Sequence, residues 1–137
     1  MLINDENGPT LLSWRNDPHA GTGWQVPGGI VRFKETFEER IGKVAESEIG
    51  REVRFEPAPI ALHQVILRDR DLRGHFISLL FQCFVPATFL PANIGLAPEE
   101  AGYPMWHERC PANLLQVQDM YRKFIDVGGG VKEHANR

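Results

Sequence analysis

The sequence predicts an α/β fold in which a mixed β-sheet lies between helices. Three observations carry this. Residues 36–50 have the spacing and the end signals of an amphipathic helix. About six short stretches elsewhere read as strands. A second stripe of apolar residues at helical spacing follows residue 110. A helix that follows a strand and a loop must bury its stripe on a sheet, and the sheet's other face then needs a second helix.

Taken in order, Met1–Ile3 reads as the stub of a strand, and residues 4–9 (Asn-Asp-Glu-Asn-Gly-Pro) are turn chemistry. Thr10–Trp14 would pair back on it as a hairpin. Asn16–Gly23 reads as a loop, with Asp17, Pro18, Gly21 and Gly23 as its breakers. Trp24 and Val26 form a short strand into Pro27-Gly28-Gly29, and Ile30–Phe33 is a second short stretch. Thr36 then sits at the N-cap of the first helix, with Glu39 three residues on as in a capping box. Phe37, Ile41, Val44 and Ala45 form its apolar stripe. Gly50 stands where a left-handed residue would end it.

Arg51–Phe55 alternates as an exposed strand would, and Ile60–Leu67 reads as another. Residues 68–74 (Arg-Asp-Arg-Asp-Leu-Arg-Gly) form a charged hairpin loop, in its plainest reading a solvated turn. His75–Pro86 is the most apolar stretch and reads as one central strand covered on both faces. Ala87–Gly102 is a loop, and Met105–Trp106 a short strand. Cys110-Pro111 would open the second helix, which runs to about Val127 with Leu114, Leu115, Val117, Tyr121, Phe124 and Ile125 inward. Gly128–Gly130 would end it. This gives a single domain over residues 1–127 and a flexible tail over 128–137.

The 137 residues suit one domain with a real core, and 42% apolar with 24% charged residues is ordinary for a globular chain. A net charge of −3 leaves no electrostatic footprint for nucleic acid. No apolar run approaches the roughly 20 residues needed to span a bilayer, and the start turns polar at once. The expectation is a cytoplasmic protein with no membrane or nucleic-acid partner. Cys83 and Cys110 lack CxxC spacing and read as idle thiols.

One residue of the first helix is out of character. Glu48 follows Val44 by four positions and so continues the apolar stripe. A buried, unpaired carboxylate is costly. Either Glu48 is a helix-end carboxylate facing solvent, or a bound cation removes the cost.

Gly29, five residues, Glu35, seven residues, then residues 43–50 (Lys-Val-Ala-Glu-Ser-Glu-Ile-Gly) resembles the Nudix box. Gly29, Glu35, Ala45, Glu48 and Gly50 match the pattern, and Lys43 keeps the charge of its arginine. Val44 and Ser47 replace two of the three helix carboxylates. That depletion is similar to the GDP-mannose mannosyl hydrolase branch, which lacks the same two. The likeness extends upstream through Gly8, Leu11-Leu12, Arg15 and Trp24-x-Val26-Pro27-Gly28-Gly29, and more loosely downstream to Trp106. It implies an α/β/α sandwich and a hydrolase of a GDP-mannose-like sugar nucleotide that releases GDP and free sugar. It also implies a Mg²⁺ cofactor, with Mn²⁺ as the second candidate, and it leaves room for a homodimer. The branch begins earlier than this chain, so the N-terminal strand looks truncated relative to it.

The resemblance implies a site. Glu48 and the carbonyl of Gly28 would ligate the ion, with Glu100, six residues before Trp106, as the third ligand; otherwise Glu100 is a solvated loop acid. Glu35 and Lys43 would brace the loop from behind. Arg15 would offer its planar fork to the diphosphate, unless it is an exposed strand-end arginine. His75 and Phe76 would meet the substrate, although His75 also reads as a strand-end histidine with no catalytic task. Ile30 stands where the branch has a second phosphate arginine, and Ala101 where it has its general-base histidine. His63 and His107 are candidates for a displaced base. Three functions remain open: sugar release from GDP-mannose, pyrophosphatase cleavage at phosphorus of another nucleoside diphosphate derivative, or non-catalytic binding of a sugar nucleotide.

Overall fold

The computed structural model describes residues 1–5, 7–18, 21–86, 88, 89, 91 and 95–126. Strands β1 (Leu2–Asn4), β2 (Thr10–Asp17) and β3 (Gly21–Gln25) lead into α1 (Phe37–Val44). After it come β4 (Arg54–Phe55), β5 (Ala61–Ile66), β6 (His75–Leu80), β7 (Gln82–Phe84), β8 (Pro104–His107) and α2 (Arg122–Asp126). The main sheet runs β3-β2-β1-β7-β4, with β8 paired along β2. It is mixed: β1 and β7 are parallel and its other pairings antiparallel. β5 and β6 form a separate two-stranded ribbon.

Strand alternation sends neighbouring residues to opposite faces, and each face has its own core. Ile3 and Leu11 pack with Ile41 and Val44 of α1 and with Ala45 directly after it. Leu2 and Leu12 pack with Tyr121 and Ile125 on the other side. The expected sheet with helices on both faces is the fold observed.

The first helix forms as its end signals dictate. The Thr36 hydroxyl accepts from Glu39 N–H at 3.0 Å. The last turn, Ala45–Ile49, is wound as a π turn, closed by Gly50 at φ 75°. The Gly50 amide reaches back to both Ala45 and Glu46 carbonyls, at 2.9 and 3.1 Å. Single π turns inside α-helices often mark functional sites.

Four expectations need correction. Residues 30–33 form no strand; the Arg32 amide instead bonds the Glu35 carboxylate in a loop clamp described below. The apolar stretch 75–86 is two strands, broken at Phe81, whose ring packs against Phe37 and Phe55. Only its second half lies in the central sheet; His75, Phe76 and Ile77 are exposed on the ribbon. The loop after β2 is shorter than Asn16–Gly23, since Asp17 already pairs with Gly21.

The second helix also begins later than Cys110. Residues 113–115 instead join β3: Trp24 N–H donates to Asn113 O at 3.0 Å, and Leu115 N–H to Trp24 O at 2.8 Å. A 3₁₀ segment over Gln116–Tyr121 then leads into α2. Val127, the glycine run and the tail at 128–137 lie outside the described residues, as do Ala87, Leu90 and residues 92–94 of the predicted loop.

The join to β3 depends on Gly23, because a Cβ there would lie 2.4 Å from Asn113 O. Gly23→Ala therefore forces the carbonyl away and breaks the bond to Trp24. The expected cost is about 1–3 kcal/mol, read as a lower urea midpoint.

Candidate functional site

β2 places Ser13, Arg15 and Asp17 on the face that carries α1, and Gln25 of β3 stands opposite Ser13. The π turn brings Glu46, Ser47 and Glu48 to the same region. Leu96, Ala101, Gly102 and Pro104 form a further wall of the cleft these elements enclose, about 550 Å³ in volume. That wall is tied to β2 through Gly102 N–H to Trp14 O at 2.8 Å and Trp14 N–H to Tyr103 O at 2.9 Å.

Arg15 lies in the cleft, its guanidinium held between Asp17 Oδ2 at 2.8 Å and Gln25 Oε1 at 3.2 Å. It is partly open to solvent, so a ligand can reach it. Glu48 is the second charged group of interest. Its Oε2 is buried and has no hydrogen-bond partner among the described residues. Burial pushes its carboxyl up to about 7, against the opposing pull of the amino terminus, the Gly28 N–H that bonds it, and Arg15. An acid held in that state suits a cation ligand, since a hard divalent ion takes the lone oxygen and removes the burial cost.

The residues present therefore fit a single ion at Glu48 better than a cluster. Among the described residues no group of three or more His, Cys, Asp or Glu side chains converges. Val44 is buried in the core, and Ser47 Oγ donates to Val44 O at 3.3 Å.

Behind the cleft, Glu35 acts as a clamp. Its carboxylate accepts from Arg40 at 2.6 and 2.9 Å and from Lys43 at 3.0 Å, and also from Arg32 N–H at 3.1 Å. The Arg40 guanidinium first, then the Arg32 amide and Lys43, hold it down at about 2. Arg40 is the larger partner, which the sequence reading missed in favour of Lys43 alone. Gly29 lies against this helix face, where a Cβ would come within 3.0 Å of Val44 Cγ2. The loop from Gly28 to Glu35 is thus fixed at both ends.

Other proposed site residues fall elsewhere. Glu100 bends back to accept from Ala97 N–H at 2.8 Å and does not line the cleft; its neighbour Ala101 does. His75 bonds Gln64 across the ribbon at 2.8 Å, and neither it nor Phe76 lines the cleft. His107 meets the Trp24 ring edge-on, with ring centres 4.5 Å apart, and donates to Met105 O at 3.0 Å. His63 lies against Tyr121 in a separate pocket of about 400 Å³ with Asp119 and Arg122. Tyr121 in turn shares a short hydrogen bond with Ser78. Cys83 is fully buried, its thiol pushed up to about 11 by burial, and both cysteines are unpaired. Ser13, Gln25 and Glu46 line the cleft without having been singled out; the alternation Ser13, Arg15, Asp17 along β2 was the signal that pointed to the first of them.

No family model matches the chain. Over 81 residues it is 35% identical to the ADP-ribose pyrophosphatase of Methanocaldococcus jannaschii, covering 58% of this chain and 45% of that protein. Over 86 residues it is 29% identical to the low-salt glycan biosynthesis protein Agl8 of Haloferax volcanii, covering 60% and 54%. The chain spans about half the length of these curated relatives. Its fold is that of the MutT protein of Methanosarcina mazei, with a TM-score of 0.59 at 20% identity over 99% of this chain and 91% of the other. No helix among the described residues is long and apolar enough to cross a membrane.

Proposed function

We propose that the chain is a Nudix-type hydrolase of a nucleoside diphosphate linked to a second group, working with a divalent cation such as Mg²⁺. The observation that carries this is the buried, unpartnered Glu48 oxygen on the π turn, in the same cleft as Arg15. It lies within the Gly29–Gly50 spacing on a fold shared with a MutT protein. Glu48 would hold the ion, with a main-chain oxygen at Gly28 and the substrate's own phosphates completing its shell. The ion would supply positive charge to the departing or attacked diphosphate. Arg15 would bind the same diphosphate through its forked donors once a phosphate displaces Asp17 or Gln25. Glu35 would keep the Gly28–Gly29 backbone in place against Glu48.

Within this class, a GDP-mannose-like sugar nucleotide is the substrate the helix favours. Positions 44 and 47 supply no carboxylate, so one ion stabilising a leaving diphosphate suffices if water attacks the sugar carbon. GDP and free sugar would then be released. A second reading has its own support: Glu46 adds a carboxylate to the cleft wall, and one relative is an ADP-ribose pyrophosphatase. Attack at phosphorus would then release a nucleoside monophosphate.

Product identification separates the two. The protein is incubated with Mg²⁺ and a panel of GDP-sugars and ADP-ribose. GDP plus free sugar supports the first reading. A nucleoside monophosphate plus a sugar phosphate supports the second. No turnover of any member, with no ligand-induced rise in Tm, overturns the assignment.

A further inference from the structure

We propose, building on the reading of this cleft as a diphosphate site, that Asp17 and Glu46 act in it as a charge filter. They admit a diphosphate substituted at both ends and turn away one that ends in a free phosphate. The charges lining the cleft are uneven. Among the described residues that line it, Arg15 is the sole Lys or Arg, whereas Asp17, Glu46 and Glu48 are all acids. Two nearby cations, Arg40 and Lys43, are both held by Glu35. The position directly after the glycine pair is the uncharged Ile30.

The three acids differ in their surroundings. Glu48, with its buried and unpartnered oxygen, is the one that an ion would neutralise. Asp17 faces Arg15 at 2.8 Å. Once a phosphate takes Arg15, Asp17 stays in the same cleft without that counter-charge. Glu46 is exposed on the π turn and, among the described residues, makes no ion pair. The cleft, about 550 Å³, is on the scale of the roughly 8–10 Å over which charges in physiological salt stay coupled. A phosphate bound in it therefore feels both acids. A doubly substituted diphosphate brings two negative charges. The divalent ion, half offset by Glu48, supplies one positive charge against them, and Arg15 supplies the second. A free terminal phosphate adds about one further charge at pH 7, because its second ionisation lies near pH 6. No described residue of the cleft offsets that charge, and like charges set against the wrong ligand give selectivity. The same repulsion acts on the products. Whether water opens the bond at the sugar carbon or at phosphorus, a terminal phosphate appears, and the hold on the nucleotide weakens.

Two nucleotide series test the filter on the full chain in Mg²⁺: GDP-mannose, GDP and GTP, and ADP-ribose, ADP and ATP. Affinity is read from Michaelis and inhibition constants where a member is turned over, and from calorimetric dissociation constants where it is not. The wild type favours the sugar nucleotide over the di- and triphosphate of the same base. Glu46→Gln and Asp17→Asn each shift that ratio toward the free phosphates by roughly 2–5-fold, the scale of a partly exposed charge pair. Raising salt to about 0.5 M narrows the wild-type preference and leaves the ratio of the double variant unmoved, which a packing defect does not do. Should Asp17→Asn release Arg15 and weaken every ligand alike, Glu46→Gln decides by itself. A wild type that takes the triphosphate as tightly as the sugar nucleotide, or a Glu46→Gln ratio equal to the wild-type one, overturns the filter. Binding without turnover counts against the hydrolase reading, while the ratios still decide the filter. No binding of any of the six overturns both.

Discussion

Glu48→Gln is expected to lose metal-dependent activity while becoming the more stable protein at alkaline pH. The stability half follows from linkage. The Glu48 carboxyl is raised from its ordinary 4.5 to about 7 by burial, so the folded state holds this proton more tightly than the unfolded chain. Below 4.5 both states are protonated and the residue contributes no pH dependence. Between 4.5 and 7 the unfolded state releases its proton first, and wild-type stability falls. Above 7 the full burial cost is present, on the order of 3 kcal/mol. Glutamine cannot ionise, so the variant keeps that stability: little change in the pH-dependent part at about pH 4, a gain of roughly 3 kcal/mol at about pH 8. Chemical denaturation at both pH values, without divalent ions, checks this. The activity half should exceed the roughly 10–100-fold loss typical of removing a ligand's supporting partner. Mg²⁺ should raise the Tm of the wild type at alkaline pH and leave the variant unmoved. A variant that stays active or still responds to Mg²⁺ would place the ion elsewhere.

The parts of the fold that could be read from the chain are those whose signal is local. Thr36, the stripe through Ile41 and Val44, and Gly50 fix a helix by contacts within a few residues of each other, and it forms where they place it. The misread parts depend on contacts distant in sequence. The apolar run 75–86 has no local mark of its break at Phe81; the cause is that ring's packing between Phe37 and Phe55. Cys110-Pro111 looks like a helix start, but Asn113 and Leu115 are taken up by the edge of β3, some ninety residues earlier. A stripe of leucines does not distinguish a helix face from residues that hold a strand.

The site divides in the same way. Glu48 was legible as an odd charge on an apolar stripe, whereas Arg15, just past the expected strand end at Trp14, was reached through the family resemblance alone. The structure places both in one cleft. Glu100 was chosen by counting from Trp106, and counting cannot see that the side chain turns back onto Ala97 N–H. His75 and Phe76 belong to the detached ribbon, an arrangement not visible while residues 75–86 are taken as one strand.

The largest effect without contact to substrate is expected at Glu35. This carboxylate is only 4% exposed and is surrounded by Arg40, Lys43 and the Arg32 amide. Replacing it with glutamine leaves two cations facing an uncharged amide and loosens the loop that ends at Gly28. Activity should fall by about 10–100-fold through the position of Gly28 against Glu48, with weaker Mg²⁺ binding rather than a changed product. A pH readout separates this from general damage. The Glu35 carboxyl is held down from 4.5 to about 2, chiefly by Arg40. Its folded value is depressed, so its contribution is complete above 4.5 and is lost as pH falls toward 2. Wild-type stability should therefore drop more steeply over that window than that of Glu35→Gln. If the two chains lose stability in parallel from pH 4.5 down to 2, the Arg40–Glu35–Lys43 clamp is not what fixes the loop.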